Sequence, residues 1–230
     1  MRRKLFLIAL SLLIGSPAFA VPTLQLFISG ATYDWGTQTW VTTSGSFDLY
    51  VVSANSSKTD VIVSLALAPT DNPADVSVNF AGTDIHTGDW VFGYSPLEND
   101  PTQWDGGNDD LPRHGIFPTW FSEMHTGAYN RSSWVGDVQP DAYGNFWNPA
   151  NGSGQAHARG QVKHFHVTTG GVFTFVHFDA YTLNSDGTIN QFAPFSHDAE
   201  AGYVPEPGTA ALFSTGLMAL GAISFRRRKR

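Results

Sequence analysis

Hydrophobic residues at every second position form the dominant pattern of this 230-residue chain between positions 21 and 200. Successive side chains of a β-strand point to opposite faces, so the alternation predicts half-buried strands, whereas a helix needs a period of about 3.6. Clusters of Gly, Asn, Asp and Pro separate the runs, as turns do in antiparallel proteins. We therefore predict an all-β fold, an antiparallel β-sandwich. The predicted strands lie within residues 24–28, 47–52, 61–67, 76–80, 90–94, 162–168, 171–183 and 188–192.

Residues 95–160 interrupt the pattern, although they contain Trp104, Trp120, Trp134 and Trp147. A structureless loop of this length is unusual in a compact domain. The segment is either an irregular insertion packed down by its aromatic residues or a set of strands obscured by Gly and Pro. We expect the insertion, because large aromatic side chains in loops usually bury apolar surface.

The N-terminus has the composition of a secretory signal peptide. A basic start of Arg2, Arg3 and Lys4 precedes an apolar run, and an A-x-A site follows at Ala18 and Ala20. We predict that residues 1–20 form the signal peptide and that signal peptidase cleaves after Ala20, although an uncleaved signal anchor would share part of the pattern. One exported domain then covers residues 21–196, and the short, unpatterned residues 197–204 are interpreted as a linker.

The C-terminus has three consecutive parts. Pro205-Glu206-Pro207 precedes an uncharged apolar run at 208–225, and five basic residues, 226–230, end the chain. Eighteen residues at about 1.5 Å each just span a bilayer core of about 30 Å, so the run predicts a transmembrane helix. The positive-inside rule would keep the basic end cytoplasmic.

This tail, residues 205–230, resembles the PEP-CTERM sorting signal of bacteria that produce exopolysaccharide. In that family a membrane-embedded exosortase recognises the motif and removes the helix. The resemblance implies that Pro205, Glu206 and Pro207 direct processing and that residues 208–230 are absent from the mature protein. It also implies only a transient stay in the inner membrane, before the protein reaches the cell surface or the extracellular space.

The exported part resembles the choice-anchor proteins, in which one extracellular domain occurs with different C-terminal anchors. The subgroup suggested is choice-anchor N. This resemblance implies an extracellular location and brings no established activity. The residues that carry it are those at 24–28, 30–34, 39–41, 44–47 and 114–119.

Charge is distributed unevenly. All 20 acidic residues lie between Asp34 and Glu206, with only five of the 13 Lys and Arg residues, which gives this part a formal charge of −15. Such a surface repels nucleic acid and anionic membranes, so both are unsuitable partners. The chain contains no cysteine, which excludes disulfides, thiol chemistry and cysteine-bound metals.

Histidines and one aspartate form the first candidate metal site. Period two places His164 and His166 on one face of a strand, and a turn at Gly170-Gly171 would pair His164 with His177 across a hairpin and place Asp179 beside them. Such a face could bind a zinc-like or copper-like ion. The alternative is an ordinary solvent-exposed polar face, and we expect this alternative.

Two acidic loops are candidates for a second kind of ion, structural calcium, which the sequence suggests as a possible cofactor. Asp105, Asp109 and Asp110 lie in a Gly-rich loop, and calcium takes six to eight oxygen ligands in flexible loops. Residues 184–188 resemble a fragment of a calcium loop, but Asp-Gly at this point is also typical of a hairpin turn, which we expect here.

Aromatic residues suggest a glycan-binding platform. Trp104, Trp120, Trp134 and Trp147 could stack on sugar rings, although packing inside the domain would explain the same composition. No hydrolase motif occurs, and Glu123 is the best of several weak candidates for a catalytic acid. The sequence thus predicts a structural or adhesive surface protein associated with exopolysaccharide rather than an enzyme. The alternative is an extracellular glycoside hydrolase.

Overall fold

The computed structural model describes residues 21–96 and 116–202, and within these ranges the chain forms two β-sheets with only short 3-10 helices. The smaller sheet has the order β1-β4-β11-β6-β7, with β10 also paired to β11. The larger sheet has the order β2-β3-β14-β12-β5-β9-β8, with β13 also paired to β12. The strands are β1 (Leu24–Ile28), β2 (Thr32–Asp34), β3 (Thr39–Thr42), β4 (Ser46–Ala54), β5 (Ile62–Leu67), β6 (Val76–Phe80), β7 (Thr83–Ile85), β8 (Val91–Gly93), β9 (Thr119–His125), β10 (Ser133–Gly136), β11 (Ala156–Gly171), β12 (Phe175–Leu183), β13 (Ile189–Phe192) and β14 (Asp198–Gly202). The 3-10 helices are Pro73–Asp75, Thr87–Asp89 and Phe195–His197.

The two sheets share one hydrophobic core. Alternate residues of each strand enter it: in β5, Val63 and Leu65 are fully buried there, while Ser64 faces the opposite side of the sheet. The rings of Phe47 and Phe178, one from each sheet, meet edge to face with centroids 5.9 Å apart. Each such large apolar side chain stabilises the fold by about 1.5–3 kcal/mol when buried. These findings confirm the all-β prediction.

The larger sheet is unusual because the middle of its outer face is also buried. On β12, the core face carries Val176 and Phe178, yet His177, Asp179 and Tyr181 on the other face are buried as well. The sequence of a strand that is buried on both faces is normally a continuous run of hydrophobic residues. Polar residues at three alternate positions of a central strand therefore mark this outer face as a place where polar groups meet away from water.

Strand β14 completes the larger sheet. It pairs antiparallel with β12 and parallel with β3, so it lies between them. Strand β13 occupies the same edge of β12 farther along, and residues 194–197 leave this edge in a short excursion that contains a 3-10 helix. The hydrogen bond from Ala193 N to Ala180 O, 2.7 Å, closes the edge before the excursion.

The predicted linker is wrong for residues 197–202. The sequence Asp-Ala-Glu-Ala-Gly contains no β-branched or aromatic residue and therefore has low strand propensity. Its small residues Ala199 and Ala201 nevertheless lie in the hydrophobic core, because backbone pairing with β3 and β12 holds the segment in the larger sheet. Tertiary packing decides the structure of this segment.

The predicted irregular insertion is also wrong for residues 116–160. This range contributes β9, β10 and the first residues of β11. Strand β9 escaped detection because polar residues occupy buried positions: Thr119 is buried and its hydroxyl donates to Leu67 O at 2.8 Å. The alternative of strands with an obscured pattern is the one that this part of the structure supports.

The predicted hairpin around Gly170-Gly171 does not form. Strand β11 pairs with β6 up to Gly171, which has φ +93°, and the chain then crosses to the other sheet. The Asp71 carboxylate holds this crossover by accepting hydrogen bonds from Thr174 N (2.7 Å) and Thr174 Oγ1 (2.9 Å).

The signal peptide, residues 1–20, and the sorting tail, residues 205–230, lie outside the described residues. No helix within 21–96 and 116–202 is long and apolar enough to cross a membrane.

Removal of β14 tests its structural role. We expect a chain of residues 21–196 to melt more than about 10 °C below a chain of residues 21–204, because β3 and β12 lose a shared neighbour and a difference of 1 kcal/mol already shifts Tm by about 2–4 °C at this size. Thermal unfolding followed by circular dichroism measures this difference. A chain that ends at residue 202 is the control and should match 21–204; equal melting of the 196 and 204 chains would contradict the assignment.

Candidate functional site: a buried histidine–carboxylate cluster

His177, Asp179, Asp198 and Glu200 form a cluster on the outer face of the larger sheet, named here the acidic cluster. Residues two apart on a strand share a face, which places His177 beside Asp179 on β12 and Asp198 beside Glu200 on β14. The register pairs His177 with Glu200 directly across the two strands. Asp179 and Asp198 consequently come together at the next position on the same face.

The cluster is compact and withdrawn from solvent. His177 Nε2 lies 3.4 Å from Asp179 Oδ1 and 4.0 Å from Asp198 Oδ2, while His177 Nδ1 lies 3.5 Å from Glu200 Oε2. Asp198 is 0 % exposed and Asp179 is 2 % exposed. The Glu200 side chain, 25 % exposed, is the member nearest to solvent. The imidazole thus has a carboxylate at each of its two nitrogens.

Burial and the neighbouring carboxylates shift the pKa of His177 in opposite directions. Burial alone would lower its pKa, but the carboxylates of Asp179, Glu200 and Asp198 outweigh burial and raise the pKa of His177 well above its ordinary value. Burial, followed by the charge of Asp179, raises the pKa of Asp198 well above the usual range of a carboxyl group, and His177 only partly offsets this effect. The surroundings in the acidic cluster therefore favour the protonated forms of His177 and Asp198.

A polar strip continues from the acidic cluster across β5 to β9. Ser64 pairs with Asp179 on one side and with Glu123 on the other. The buried hydroxyl of Tyr181 donates a short hydrogen bond to Glu123 Oε1, and burial, followed by this bond, raises the pKa of Tyr181. Glu123, the acid that the sequence singled out for catalysis, is therefore held by a structural partner.

A second network fixes the excursion that leads into β14. His197, which is buried, lies with Nε2 2.8 Å from Asp137 Oδ1 and with Nδ1 2.8 Å from Ser196 Oγ. The hydroxyl of Tyr33 donates to Ser196 O at 3.0 Å and accepts from Gln139 Nε2 at 3.1 Å. This network links β2, the 137–139 segment and the excursion, so it positions Asp198 at the start of β14.

The structure separates the histidines that the sequence grouped together. His164 and His166 lie on β11 of the smaller sheet, where their strand partners are Tyr50 and Asp48 of β4. His177 and Asp179 lie in the other sheet, so the predicted pairing of His164 with His177 is wrong. His166 is exposed and has Nδ1 3.1 Å from Asp48 Oδ1, which agrees with the solvent-exposed alternative for this pair.

The predicted calcium loops have different outcomes. Asp105, Asp109 and Asp110 lie outside the described residues, so calcium at this loop stays a prediction. Residues 184–188 form the turn between β12 and β13, in which Asp186 Oδ1 accepts from Thr188 N (3.0 Å) and Thr188 Oγ1 (2.6 Å). The expected hairpin turn is confirmed.

The tryptophans do not form one platform among the described residues. Trp147 is 5 % exposed within the core, and Trp120 is half-buried against Phe92. Trp134, 59 % exposed, lies on β10 of the smaller sheet with the Arg159 guanidinium 5.2 Å from its ring centroid. Trp104 lies outside the described residues. The most exposed tryptophan ring near a groove is instead Trp35, which the sequence gave no reason to select.

Sequence reasoning missed Asp198, Glu200 and Ser64. The signal for the first two was present, because Asp198-Ala199-Glu200-Ala201 alternates polar and apolar residues with period two. Alanine has low strand propensity, so the alternation at residues 198–201 was interpreted as part of a linker. His177 and Asp179 were selected correctly as a pair on one face, but with the wrong neighbours.

Alkaline pH tests the Tyr33 network. Burial raises the pKa of Tyr33 from 10.0 to about 12 in the folded protein, so Tyr33 ionises at a lower pH in the unfolded chain. The contribution of neutral Tyr33 to the free energy of unfolding is therefore complete below pH 10 and is lost as the pH rises through about 12. We expect the stability advantage of the wild type over Tyr33→Phe to shrink by about 1–3 kcal/mol across this window. Urea unfolding at several pH values measures it. A constant advantage would contradict the raised pKa, and Tyr143→Phe, at an exposed site, is the control.

Comparison with known proteins assigns the C-terminus. A family model described as the PEP-CTERM protein-sorting motif matches residues 204–229. No curated protein and no solved structure gives a significant match to the chain, so the resemblance to choice-anchor proteins stays a prediction. The motif confirms the predicted sorting signal: the chain is an exported protein that exosortase processes and that is sorted through the membrane to the cell surface.

Proposed function

We propose that the exported domain is a structural or adhesive component of the cell surface or extracellular matrix that binds exopolysaccharide. The observation that carries this proposal is the sorting motif at 204–229, which begins two residues after β14 ends at Gly202. The sorted cargo is thus the two-sheet domain itself. The family that the tail resembles occurs in bacteria that produce exopolysaccharide, and this association makes that polymer the ligand that we propose.

A shallow groove beside β2 and β3 is the contact surface that best supports glycan binding. Trp35 is 56 % exposed in this groove, and the Tyr33 ring supports it edge to face with centroids 5.1 Å apart. Asp34, Thr43 and Ser44 also line the groove. An exposed aromatic ring next to carboxylate and hydroxyl groups suits the apolar face and the hydroxyls of a sugar ring.

Binding rather than catalysis is the activity that we propose for this surface. A glycosidase needs two carboxyl groups about 5–9.5 Å apart on either side of the bond that it cleaves. In the groove Asp34 is engaged locally, since its Oδ1 accepts from Gly36 N at 2.7 Å. Glu123 is held by Tyr181 on another part of the sheet. These contacts favour the binder over the glycoside hydrolase, and the assay below separates the two.

Cosedimentation of residues 21–204 with the host exopolysaccharide tests the proposal. We expect Trp35→Ala to weaken binding about fivefold to tenfold, because loss of one stacking ring costs about 1 kcal/mol. Trp134→Ala removes an equally exposed ring from the other sheet and should leave binding unchanged. Equal binding by wild type and Trp35→Ala would contradict the groove. Release of soluble sugars during incubation would support the hydrolase instead.

Replacement of Glu206 tests the sorting signal. We expect Glu206→Ala to accumulate as a membrane-bound form that retains residues 208–230, because exosortase no longer recognises the motif. Mass spectrometry of the C-terminal peptide identifies the two forms. The native chain in a host that lacks exosortase provides the reference for the unprocessed form. Normal removal of 208–230 from the variant would contradict the role of Glu206.

A further inference from the structure

Three side chains of the acidic cluster have the arrangement of metal ligands. One donor atom each from His177, Asp179 and Asp198 lies within 4.8 Å of the other two, and all three residues are buried. The 3.4 Å between His177 Nε2 and Asp179 Oδ1 is close to the roughly 3.3 Å that separates two ligands of a tetrahedral ion with bonds of about 2.0–2.1 Å. The distance from His177 Nε2 to Asp198 Oδ2, 4.0 Å, is longer, but it lies within the same compact group of donor atoms.

Glu200 occupies the place of an orienting partner. Metal-binding histidines commonly donate their second ring N–H to a carboxylate, which fixes the tautomer and the ring orientation. Here Glu200 Oε2 lies 3.5 Å from Nδ1, on the opposite side of the imidazole from Asp179 and Asp198. His177 therefore presents Nε2 to the two aspartates while Glu200 faces the other nitrogen.

Carboxyl groups outnumber basic groups within the acidic cluster. Three carboxylates meet one imidazole, so the set stays negative even when His177 is protonated. Asp179 and Asp198 are both buried on the same face of neighbouring strands, where two negative charges close together repel each other. A divalent cation neutralises this pair.

Ser64 provides an independent observation next to the cluster. It is 0 % exposed, it pairs with Asp179 in the register of β5 and β12, and its hydroxyl has no hydrogen-bond partner among the described residues. A buried hydroxyl without a partner costs about 1–3 kcal/mol. A water molecule or carboxylate oxygen ordered by an ion at Asp179 would satisfy it.

We propose that His177, Asp179 and Asp198 bind one divalent transition-metal ion, Zn²⁺ or Mn²⁺, and that Glu200 orients the histidine. An imidazole nitrogen with carboxylate oxygens suits these ions, whereas calcium takes oxygen ligands only. The ion joins β12 to β14, the last strand before the sorting motif, and so stabilises the C-terminal edge of the domain. This role does not depend on glycan binding at the Trp35 groove.

Metal analysis of the protein as its host exports it tests the proposal. We expect about one Zn²⁺ or Mn²⁺ per chain by plasma mass spectrometry after dialysis into metal-free buffer, and none in His177→Gln or Asp198→Asn. Glu200→Gln should bind Zn²⁺ about tenfold more weakly in calorimetry, as expected for loss of an orienting partner. His166→Gln is the matched control: it removes a histidine that also faces an aspartate, but on the other sheet, and should keep the ion.

A second measurement uses only the wild-type protein, in case the ligand variants fail to fold. The protein is stripped of metal with a chelator, Co²⁺ is added, and the visible absorption spectrum is recorded. Visible absorption bands of tetrahedral Co²⁺, displaced by added Zn²⁺, would support the site. Three results would overturn the proposal: a protein that exports without metal and shows no heat with Zn²⁺ or Mn²⁺, undiminished metal content in folded His177→Gln, or binding of Ca²⁺ alone.

Discussion

The pairing of β14 with β12 is the contact on which the larger sheet depends. It places Ala199 and Ala201 in the core and, by the same two-residue period, directs Asp198 and Glu200 to the outer face beside His177 and Asp179. The small alanines allow the two strands to pack closely against the smaller sheet. The acids on the opposite face are then forced together, so core packing and the acidic cluster are two results of one register.

This register also connects the domain to its sorting signal. The residues next to the sorting motif, Asp198–Gly202, are hydrogen-bonded into the middle of a sheet rather than left as a spacer. The His197 network fixes the entry of this strand through Asp137, and Gln25 fixes the adjoining segment by donating to Gly136 O at 3.0 Å and accepting from Val138 N at 2.8 Å. A buried amide that is bonded through both its nitrogen and its oxygen favours one arrangement of the segments that it joins. The end of the domain is therefore well defined where processing takes place.

The sequence predicted those elements whose alternation involves large apolar residues. Strands β1, β4, β5 and β6 carry Leu, Val or Phe at alternate core positions, so the period predicts that they exist and which face enters the core. Strand β9 and strand β14 could not be found in this way, because Ser122 lies between Trp120 and Met124 on the core face of β9 and only alanines occupy the core face of β14. The same limit applies to the candidate site. His177 and Asp179 follow from spacing on one strand, but their partners depend on which strand comes next to β12, and a crossover fixed by Asp71 decides that.

The position of β14 in the chain sets an order on folding during secretion. A chain that crosses the membrane from its N-terminus delivers the smaller sheet complete, since the last residue of that sheet is Gly171. Strands β3 and β12, by contrast, cannot pair with β14 until it emerges, about 160 and 20 residues later, respectively. The pairing of β3 with β14 is slow because it closes a large loop. The domain therefore cannot close before β14 has crossed the membrane, and the processing motif follows β14 by only two residues. Closure of the larger sheet and exosortase processing thus follow the same last stretch of chain.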